Sequence, residues 1–244
     1  WPLIWGTLLT TLGAVVIALV VSTLAAIFLV EFAPPRMRRL LEPIVRLLAG
    51  VPSVVYGLVG ILALAPLIEG LISNSRKQSV YYVVQLSGLN LMTAILILTV
   101  MIVPIMVAIT ANALAAVPIS WREGSAALGV NRWRTIWRVS LRAARPAIAA
   151  AIVLATARAL GEAIMLAMVS GGAFAANPLD GLTFFFEPVQ PLASTIVREF
   201  GGQSNEAILN TIYAISAVLL VSAALLSLAG WAAKQAMKRY GIQA

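Results

Sequence analysis

The longest uncharged stretch of this sequence decides what kind of protein it can form. From Trp1 to Val30 the chain contains no Asp, Glu, Lys or Arg, and a helix of about 20 apolar residues is long enough to cross a bilayer. Hydrophobic residues make up 61% of the chain and charged residues 11%, against roughly 45–50% and 25% in soluble domains. The sequence therefore predicts an all-α transmembrane protein and excludes a soluble globular enzyme.

Five apolar stretches are long enough to cross the membrane, and we name them spans A to E. In chain order they cover Trp1–Val30, Leu47–Ile68, Leu89–Val117, Ala147–Val169 and Ala207–Trp231. Pro52 and Pro66 interrupt span B, and Pro104 lies in the middle of span C. Proline in a crossing helix frees a backbone carbonyl that neighbouring helices must satisfy. We therefore expect kinked spans packed into a single transmembrane domain over residues 1–244.

The basic residues predict an orientation. Most of the 17 lysines and arginines fall in the connector between spans A and B, in the connector between spans C and D, and in the tail after span E. The positive-inside rule makes these segments cytoplasmic, so the connectors around Arg76 and Asp180 are expected outside. Span A would then start outside the cell. Because residue 1 is Trp rather than Met, we expect a further N-terminal span, which gives six spans with both termini cytoplasmic.

The connector between spans C and D, residues 118–146, is too patterned for a simple linker, and we call it the C–D loop. Ser120 followed by Glu123 forms a capping box that predicts a helix start. Gly129 then separates this helix from a second, amphipathic one. Its apolar residues at helical spacing are Trp133, Ile136, Trp137 and Leu141. Such a loop either lies on anionic lipid headgroups or docks a cytoplasmic partner.

Residues of the C–D loop resemble the EAA motif of ATP-binding-cassette import permeases. Glu123-Gly-Ser-Ala-Ala-Leu-Gly129 is followed after nine residues by Val139-Ser-Leu141, which matches the spacing of that motif. The sequence departs from the motif at Gly124, Ser125, Val139 and Arg142. The resemblance implies a coupling helix seated in a groove of an ATPase subunit. It assigns the coupling to Glu123, Gly129 and Leu141, with Gly129 permitting the turn.

Two ionisable residues, Arg158 and Glu162, lie inside span D, four positions apart. A charged residue near the bilayer centre costs about 2.5–3.5 kcal/mol on insertion scales, so both should face protein or a water-filled path. On one helical face they form either an intrahelical ion pair that only stabilises the bundle, or an anion site in which Glu162 orients Arg158. Ser53, just after Pro52, is a further candidate: the irregularity there is either a plain kink or a helix start whose backbone amides contact an anion.

The segment around this pair is similar to the PstC-type permeases of the bacterial ABC phosphate importer. Ala157-Arg-Ala-Leu-Gly-Glu162 with Met165-Leu-Ala-Met168, and Pro52-Ser-Val-Val-Tyr-Gly57, carry the resemblance; Ala163 replaces a usual threonine. The resemblance implies a bacterial inner-membrane permease whose substrate path contains Arg158, Glu162 and Ser53. It implies a PstA-like second permease, two PstB-like ATPase subunits and a PstS-like extracytoplasmic phosphate-binding protein as partners. ATP and Mg would bind the ATPase subunits, and this chain would hold no cofactor.

Several other functions are excluded or left as alternatives. The chain has no Cys and no His, which excludes thiol nucleophiles and Cys/His zinc sites, and no metal site is expected. It has no G-x-x-x-x-G-K-[ST] loop for a nucleotide. The net charge of +8 is explained by basic residues in the cytoplasmic connectors. We therefore expect contact with membrane lipid and no nucleic-acid partner. A permease for sulfate or molybdate, an ATP-independent anion transporter or channel, and an interaction scaffold remain alternatives.

Overall fold

The computed structural model of the chain describes residues 2–72, 86–173, 181–200 and 206–239. Within these ranges its regular secondary structure is helical, apart from an isolated parallel bridge between Gly171 and Val189. The α-helices are α1 (Pro2–Ile27), α2 (Pro35–Ala49), α3 (Ser53–Val59), α4 (Ala65–Leu71), α5 (Leu91–Ala115), α6 (Ile119–Ala127), α7 (Arg132–Thr135), α8 (Leu141–Leu160), α9 (Ile164–Val169), α10 (Leu192–Phe200) and α11 (Glu206–Arg239). Arg76, Lys77 and Asp180, on which the external connectors were predicted, lie outside the described residues.

Five helical segments of the described chain are long and apolar enough to cross a membrane, which confirms the predicted all-α fold and its spans. They are Pro2–Phe32, Ser53–Leu71, Leu91–Ala115, Arg132–Leu160 and Glu206–Leu228. The largest errors in the predicted bounds concern spans B and D. Span B starts at Ser53 rather than Leu47, because Leu47 belongs to α2. Span D starts at Arg132 rather than Ala147, because the second helix of the C–D loop continues into it, and it ends at Leu160 rather than Val169, because the helix stops before Gly161.

Short π-helical segments interrupt the spans in the described chain at Phe28–Phe32, Gly60–Leu64 and Ile136–Ser140. The predicted irregularity of span B is confirmed. The chain leaves α2 at Gly50 and re-enters a helix at Ser53. Pro66 follows the π-helical segment Gly60–Leu64 within one continuous helical span, where it removes a backbone N–H donor. In contrast, α5 continues through Pro104.

The helices form two compact units. The first unit draws on Trp1–Val16, Val51–Met101 and Thr156–Ala224, and the second on Ile17–Gly50, Ile102–Ala155 and Leu225–Ala244. In the first unit, α3 and the π-helical segment that follows it pack on α9 through glycines. A Cβ at Gly57 would lie 2.6 Å from the sulfur of Met168, and one at Gly60 would lie 2.7 Å from Cγ1 of Val169. The helices approach this closely only because these positions carry no side chain.

The second unit has its own apolar core beneath the C–D loop. Buried residues from the end of α1, the end of α5 and the start of α8 meet there: Ala26, Ile27, Leu29, Ala111, Leu114, Ile136, Leu141 and Ala144. Ile136 is only 1% exposed. The C–D loop is therefore packed onto the ends of two spans through an apolar contact.

Candidate functional site

The segment around Arg158 is a helix break rather than a continuous helix. Arg158 lies in the last turn of α8, which ends at Leu160, and α9 starts at Ile164. Arg158 and Glu162 therefore do not share one helical face, as the spacing predicted. The physical reason lies in the backbone after Leu160. The N–H of Gly161 still donates to the carbonyl oxygen of Ala157, four residues back, whereas the N–H of Glu162 donates to that of Ala159, three residues back, so the α-helical pattern ends at Glu162. Both residues lie in the first unit.

Glu162 uses its carboxylate to cap α9. Its Oε1 accepts a hydrogen bond from the backbone N–H of Met165 at 3.1 Å, and the residue is buried. A carboxylate at a helix start satisfies an N–H that has no partner within the helix and complements the helix dipole. Among the described residues no ion pair joins Glu162 to Arg158. The expected intrahelical ion pair is therefore absent from this part of the chain.

Tyr56 is a buried residue close to α9 that the sequence analysis missed. It lies on α3, which packs against α9 through the adjacent Gly57. Ser53, the sequence candidate, is the first residue of the same helix and is half-buried, and its side chain does not cap that helix. A signal was available, because Tyr56 lies within the Pro52–Gly57 stretch that carried the family resemblance.

The other end of α9 is held by Arg198 of α10. The Nη2 of Arg198 donates a hydrogen bond to the carbonyl oxygen of Ala167 at 2.8 Å. The guanidinium occupies the space that a Cβ at position 172 would fill, and Gly172 has a φ of +66°. The short helix α9 thus has a carboxylate at its start and a guanidinium near its end, which is the arrangement its dipole favours.

A cavity of about 250 Å³ lies beside the helix break. Its lining is Ala157, Leu160, Gly161, Ala163, Ala193, Ile196, Leu219 and Ala223. These side chains are small or apolar and offer no hydrogen-bond donor, so this cavity is not suited to an anion. It leaves free space next to the break.

The C–D loop has the predicted order of helix, glycine and helix. After α6, Gly129 adopts a φ of +71°, and Asn131 then caps α7 by accepting a hydrogen bond from the N–H of Arg134 at 2.8 Å. The predicted capping box is wrong. The residue preceding α6 is Pro118, which makes no side-chain cap, and Ser120 already lies inside the helix. Glu123 and Gly129 are both exposed.

The predicted apolar face of the second helix in the C–D loop divides into two parts. Ile136 and Leu141 are buried in the core, whereas Trp133 and Trp137 are exposed and pack edge to face, with ring centroids 5.9 Å apart. The cause is the π-helical segment that begins at Ile136, which changes the register between the two pairs. Leu141, predicted as a coupling residue, is therefore a core residue, and the exposed aromatic surface consists of the two tryptophans.

Glu31 is a second residue that the sequence analysis missed. It lies in the π-helical segment after α1, its side chain is 7% exposed, and its Oε1 is 3.0 Å from Nη1 of Arg122 on α6. Arg122 also donates a hydrogen bond to the carbonyl oxygen of Leu114, near the end of α5, at 2.6 Å. Arg132 approaches Glu31 at 3.9 Å and lies over the ring of Phe32. Arg122 thus joins the C–D loop to the ends of two spans.

The comparison with protein families gives a match over most of the chain. Residues 18–238 match the family described as the binding-protein-dependent transport system inner membrane component. A chain from the inward-facing structure of the MetNI methionine ABC transporter has a similar fold, with a TM-score of 0.67. At 22% identity, that structure covers 97% of this chain and 96% of its own.

Curated relatives are more similar in sequence. The probable ABC transporter permease protein YqgH of Bacillus subtilis is 40% identical over 70% of this chain, which spans about half (52%) of that relative. The phosphate transport system permease protein PstC 1 of Mycobacterium tuberculosis is 35% identical over 90% of this chain and 67% of its own length. The probable PstC of Methanocaldococcus jannaschii is 32% identical over 93% of this chain and 72% of its own length.

Proposed function

Because the chain belongs to the family of inner-membrane components of binding-protein-dependent transport systems, we propose that it is a permease subunit of an ATP-driven importer that carries inorganic phosphate. The observation that carries the phosphate assignment is the similarity to phosphate permeases named PstC over about nine tenths of the chain. The partly buried arginine at the helix break that ends span D supports it, because a guanidinium held in a span is a suitable ligand for an oxyanion.

The proposed assembly follows from the family. The chain forms the phosphate path together with a PstA-like second permease, and two PstB-like subunits hydrolyse ATP with Mg. A PstS-like protein delivers phosphate from outside the plasma membrane. The C–D loop and the tail are cytoplasmic in this assembly, in agreement with the basic residues of these segments.

Arg158 is the proposed anion ligand. Its planar guanidinium offers several N–H donors that match two oxygens of a phosphate at once. In the described chain it has no carboxylate partner, since Glu162 is bound to the backbone of α9. The guanidinium therefore keeps its charge available for an anion. Glu162 contributes to the site by fixing the start of α9 rather than by orienting Arg158.

The C–D loop is the proposed connection to the ATPase. Its exposed tryptophan pair and α6 provide a surface for the ATPase groove, with Glu123 and Gly129 exposed on that surface. Arg122 fixes the loop to the ends of α1 and α5 through Glu31 and the Leu114 carbonyl. A movement of the ATPase subunits would then be passed to the spans through these contacts rather than absorbed in the loop.

Uptake of labelled phosphate by the complete complex tests this function. We expect uptake that requires ATP and is not reduced by a large excess of sulfate or molybdate. Arg158→Ala should reduce it to near background while the complex still assembles, and Arg158→Lys should recover part of it, because lysine keeps the charge but loses the planar fork. Arg145→Ala, which removes an exposed arginine from the same helix, is the matched control.

Three results would contradict the proposal. Preferred uptake of sulfate or molybdate would assign the chain to another oxyanion. Uptake without ATP or without the ATPase subunits would indicate a secondary transporter or channel. Full phosphate uptake by the Arg158→Ala variant would remove Arg158 from the substrate path.

A further inference from the structure

The amphipathic helix α2 is held close to the membrane by its neighbours in the chain. Only Ala33 and Pro34 separate it from the segment that ends span A, and only Gly50, Val51 and Pro52 separate it from span B. Such short connections cannot carry a helix of 15 residues far from the two spans. Helix α2 therefore lies at the membrane boundary, on the side that the proposed function makes cytoplasmic.

One side of α2 packs on the protein. Leu41 contacts the apolar core of the second unit, and Val45 lines a small groove together with Leu29 and Val107. Arg38 is bound to Glu42 on the same helix, with Nε and Oε1 2.6 Å apart. The contacts of Leu41 and Val45 with other helices fix the rotation of α2 about its own axis.

A second side of α2 presents an apolar stripe that nothing in the second unit covers. Leu40 and Leu47 lie about two turns apart and are 65% and 72% exposed. The remaining exposed apolar residues of the helix are Met37, Ile44 and Leu48. Exposure of so many large apolar side chains on one helix is unfavourable in water, so this stripe requires an apolar environment.

A third side of α2 is cationic and borders the apolar stripe. Arg36, Arg39 and Arg46 are exposed, and none of them forms an ion pair with a carboxylate of the described residues. Helices with an apolar stripe and a neighbouring row of arginines lie in the membrane interface, with the apolar side chains in the acyl region and the guanidinium groups among the headgroups.

We propose that α2 is an interfacial helix that binds the headgroups of anionic phospholipids in the cytoplasmic leaflet. The charge of the three arginines selects anionic over zwitterionic lipid, and the exposed leucines determine how deeply the helix is inserted. A protein surface is a less suitable partner, because it would have to be apolar and acidic along the whole length of α2. The proposal depends on the membrane orientation given above and not on the transported substrate.

Because the chain contains no cysteine, a fluorophore on a single introduced cysteine can report the surroundings of α2 in the assembled complex. We expect a fluorophore at Leu40→Cys to be quenched by lipids brominated near the headgroup end of the acyl chain. A fluorophore at Arg46→Cys, on the cationic side, should be quenched less. Equal quenching at both positions, or none at Leu40 because a protein subunit covers it, would overturn the interfacial placement.

The preference for anionic lipid is tested with the fluorophore at Leu40→Cys. Quenching by brominated phosphatidylglycerol should exceed quenching by brominated phosphatidylcholine at least about twofold at equal mole fraction. The ratio should fall to about one when Arg36, Arg39 and Arg46 are replaced by Gln, and should be kept when they are replaced by Lys. A ratio of one in the chain that keeps its arginines would overturn the proposal.

A salt series makes the same test without the arginine variants, in case the triple Gln variant does not assemble. The Debye length falls to about 3 Å at 1 M salt, so the ratio should decrease towards one as salt increases. A ratio that stays constant would also contradict binding through charge. Neither measurement requires transport, so failure of the phosphate assignment would leave both results interpretable.

Discussion

At the scale of single residues, the hydrogen bond from Met165 to Glu162 determines what a replacement of Glu162 should do. Glu162→Gln keeps an oxygen that can accept this bond, whereas Glu162→Ala leaves the N–H of Met165 without it. Loss of a helix cap costs about 0.5–2 kcal/mol. We therefore expect the Ala variant, and not the Gln variant, to lower the thermal stability and the yield of the complex. Glu199→Ala, at an exposed position of α10, is the control, and equal stability of all three variants would contradict the cap.

Glu31 and its two arginines allow a prediction in which burial decides the size of the effect. Breaking a buried ion pair by removing one partner costs about 3–5 kcal/mol, and Glu31→Ala would remove the carboxylate that lies 3.0 Å from Arg122. Since the side chain of Arg122 is 25% exposed, we expect the lower end of this range. Arg132→Gln should lower the free energy of unfolding by less than about 1 kcal/mol, because the side chain of Arg132 is 62% exposed and its Nη2 lies 3.9 Å from the carboxylate of Glu31.

The functional readout for Glu31 is the ratio of ATP hydrolysed to phosphate imported. This ratio should rise in Glu31→Ala, because the C–D loop would lose its polar contact with span A and keep only the apolar one. The exchanged pair Glu31→Arg, Arg122→Glu restores opposite charges and should lower the ratio in part, because a carboxylate at position 122 cannot donate to the Leu114 carbonyl and Arg132 would lie beside a second guanidinium. If the single variant keeps the original ratio at normal complex yield, the contact does not transmit movement.

Sequence analysis located Arg158 and Glu162 because charges inside an apolar stretch are conspicuous. It could not give the partner of Glu162, because that partner depends on where α8 ends, and Gly161 alone does not fix that point. Glu31 was missed for a different reason. A charge at the end of a span is ordinary, and its burial is produced by Arg122, which is distant in the sequence and reaches it only after folding.

At the scale of helices, the π-helical segment Ile136–Ser140 explains why the observed faces of the C–D loop differ from the predicted ones. A period of 3.6 residues places Trp133 and Leu141 on one side, whereas the π-helical segment Ile136–Ser140 separates the exposed tryptophans from the buried core. Apolar periodicity cannot reveal such a segment. The number of spans was predictable because it depends only on the length of apolar stretches.

The turn at Gly129 supplies a prediction, and a control is available in the preceding helix α6. Gly129 has a φ of +71°, and a Cβ at this position would meet no atom within 4 Å, so backbone strain and not lack of space opposes a side chain. A left-handed residue other than glycine costs about 1–2 kcal/mol. Gly129→Ala should therefore impair the loop as much as Gly129→Leu, while Gly129→Asn should be tolerated better.

Gly124 is the matched control, because it lies inside α6 with open space around it and no positive φ. Gly124→Ala should stabilise α6 by about 0.5–1 kcal/mol. Co-purification of the ATPase subunits and phosphate uptake measure both effects. Full uptake and full retention of the ATPase by both Gly129→Ala and Gly129→Leu would exclude the turn from docking.

At the scale of the whole molecule, the distribution of basic residues predicts which connectors face each compartment. Single cysteines at positions 76 and 180 should react with a membrane-impermeant thiol reagent applied from outside, because positive charge is retained on the cytoplasmic side. A cysteine at position 134 should react only after the plasma membrane is permeabilised. Labelling of position 134 in intact cells would contradict the predicted orientation. Failure of labelling at both 76 and 180, while exposed controls react, would contradict it as well.

The contact between Arg198 and Gly172 has a consequence for how related permeases diverge. The guanidinium fills the place of a side chain at position 172, and the backbone there is left-handed. In a related permease with a side chain at position 172, an arginine at position 198 could not occupy this place. Such a change also removes the hydrogen bond that Arg198 donates to α9. Substitution at one of the two positions should therefore accompany substitution at the other, and the pair should covary across an alignment of many relatives.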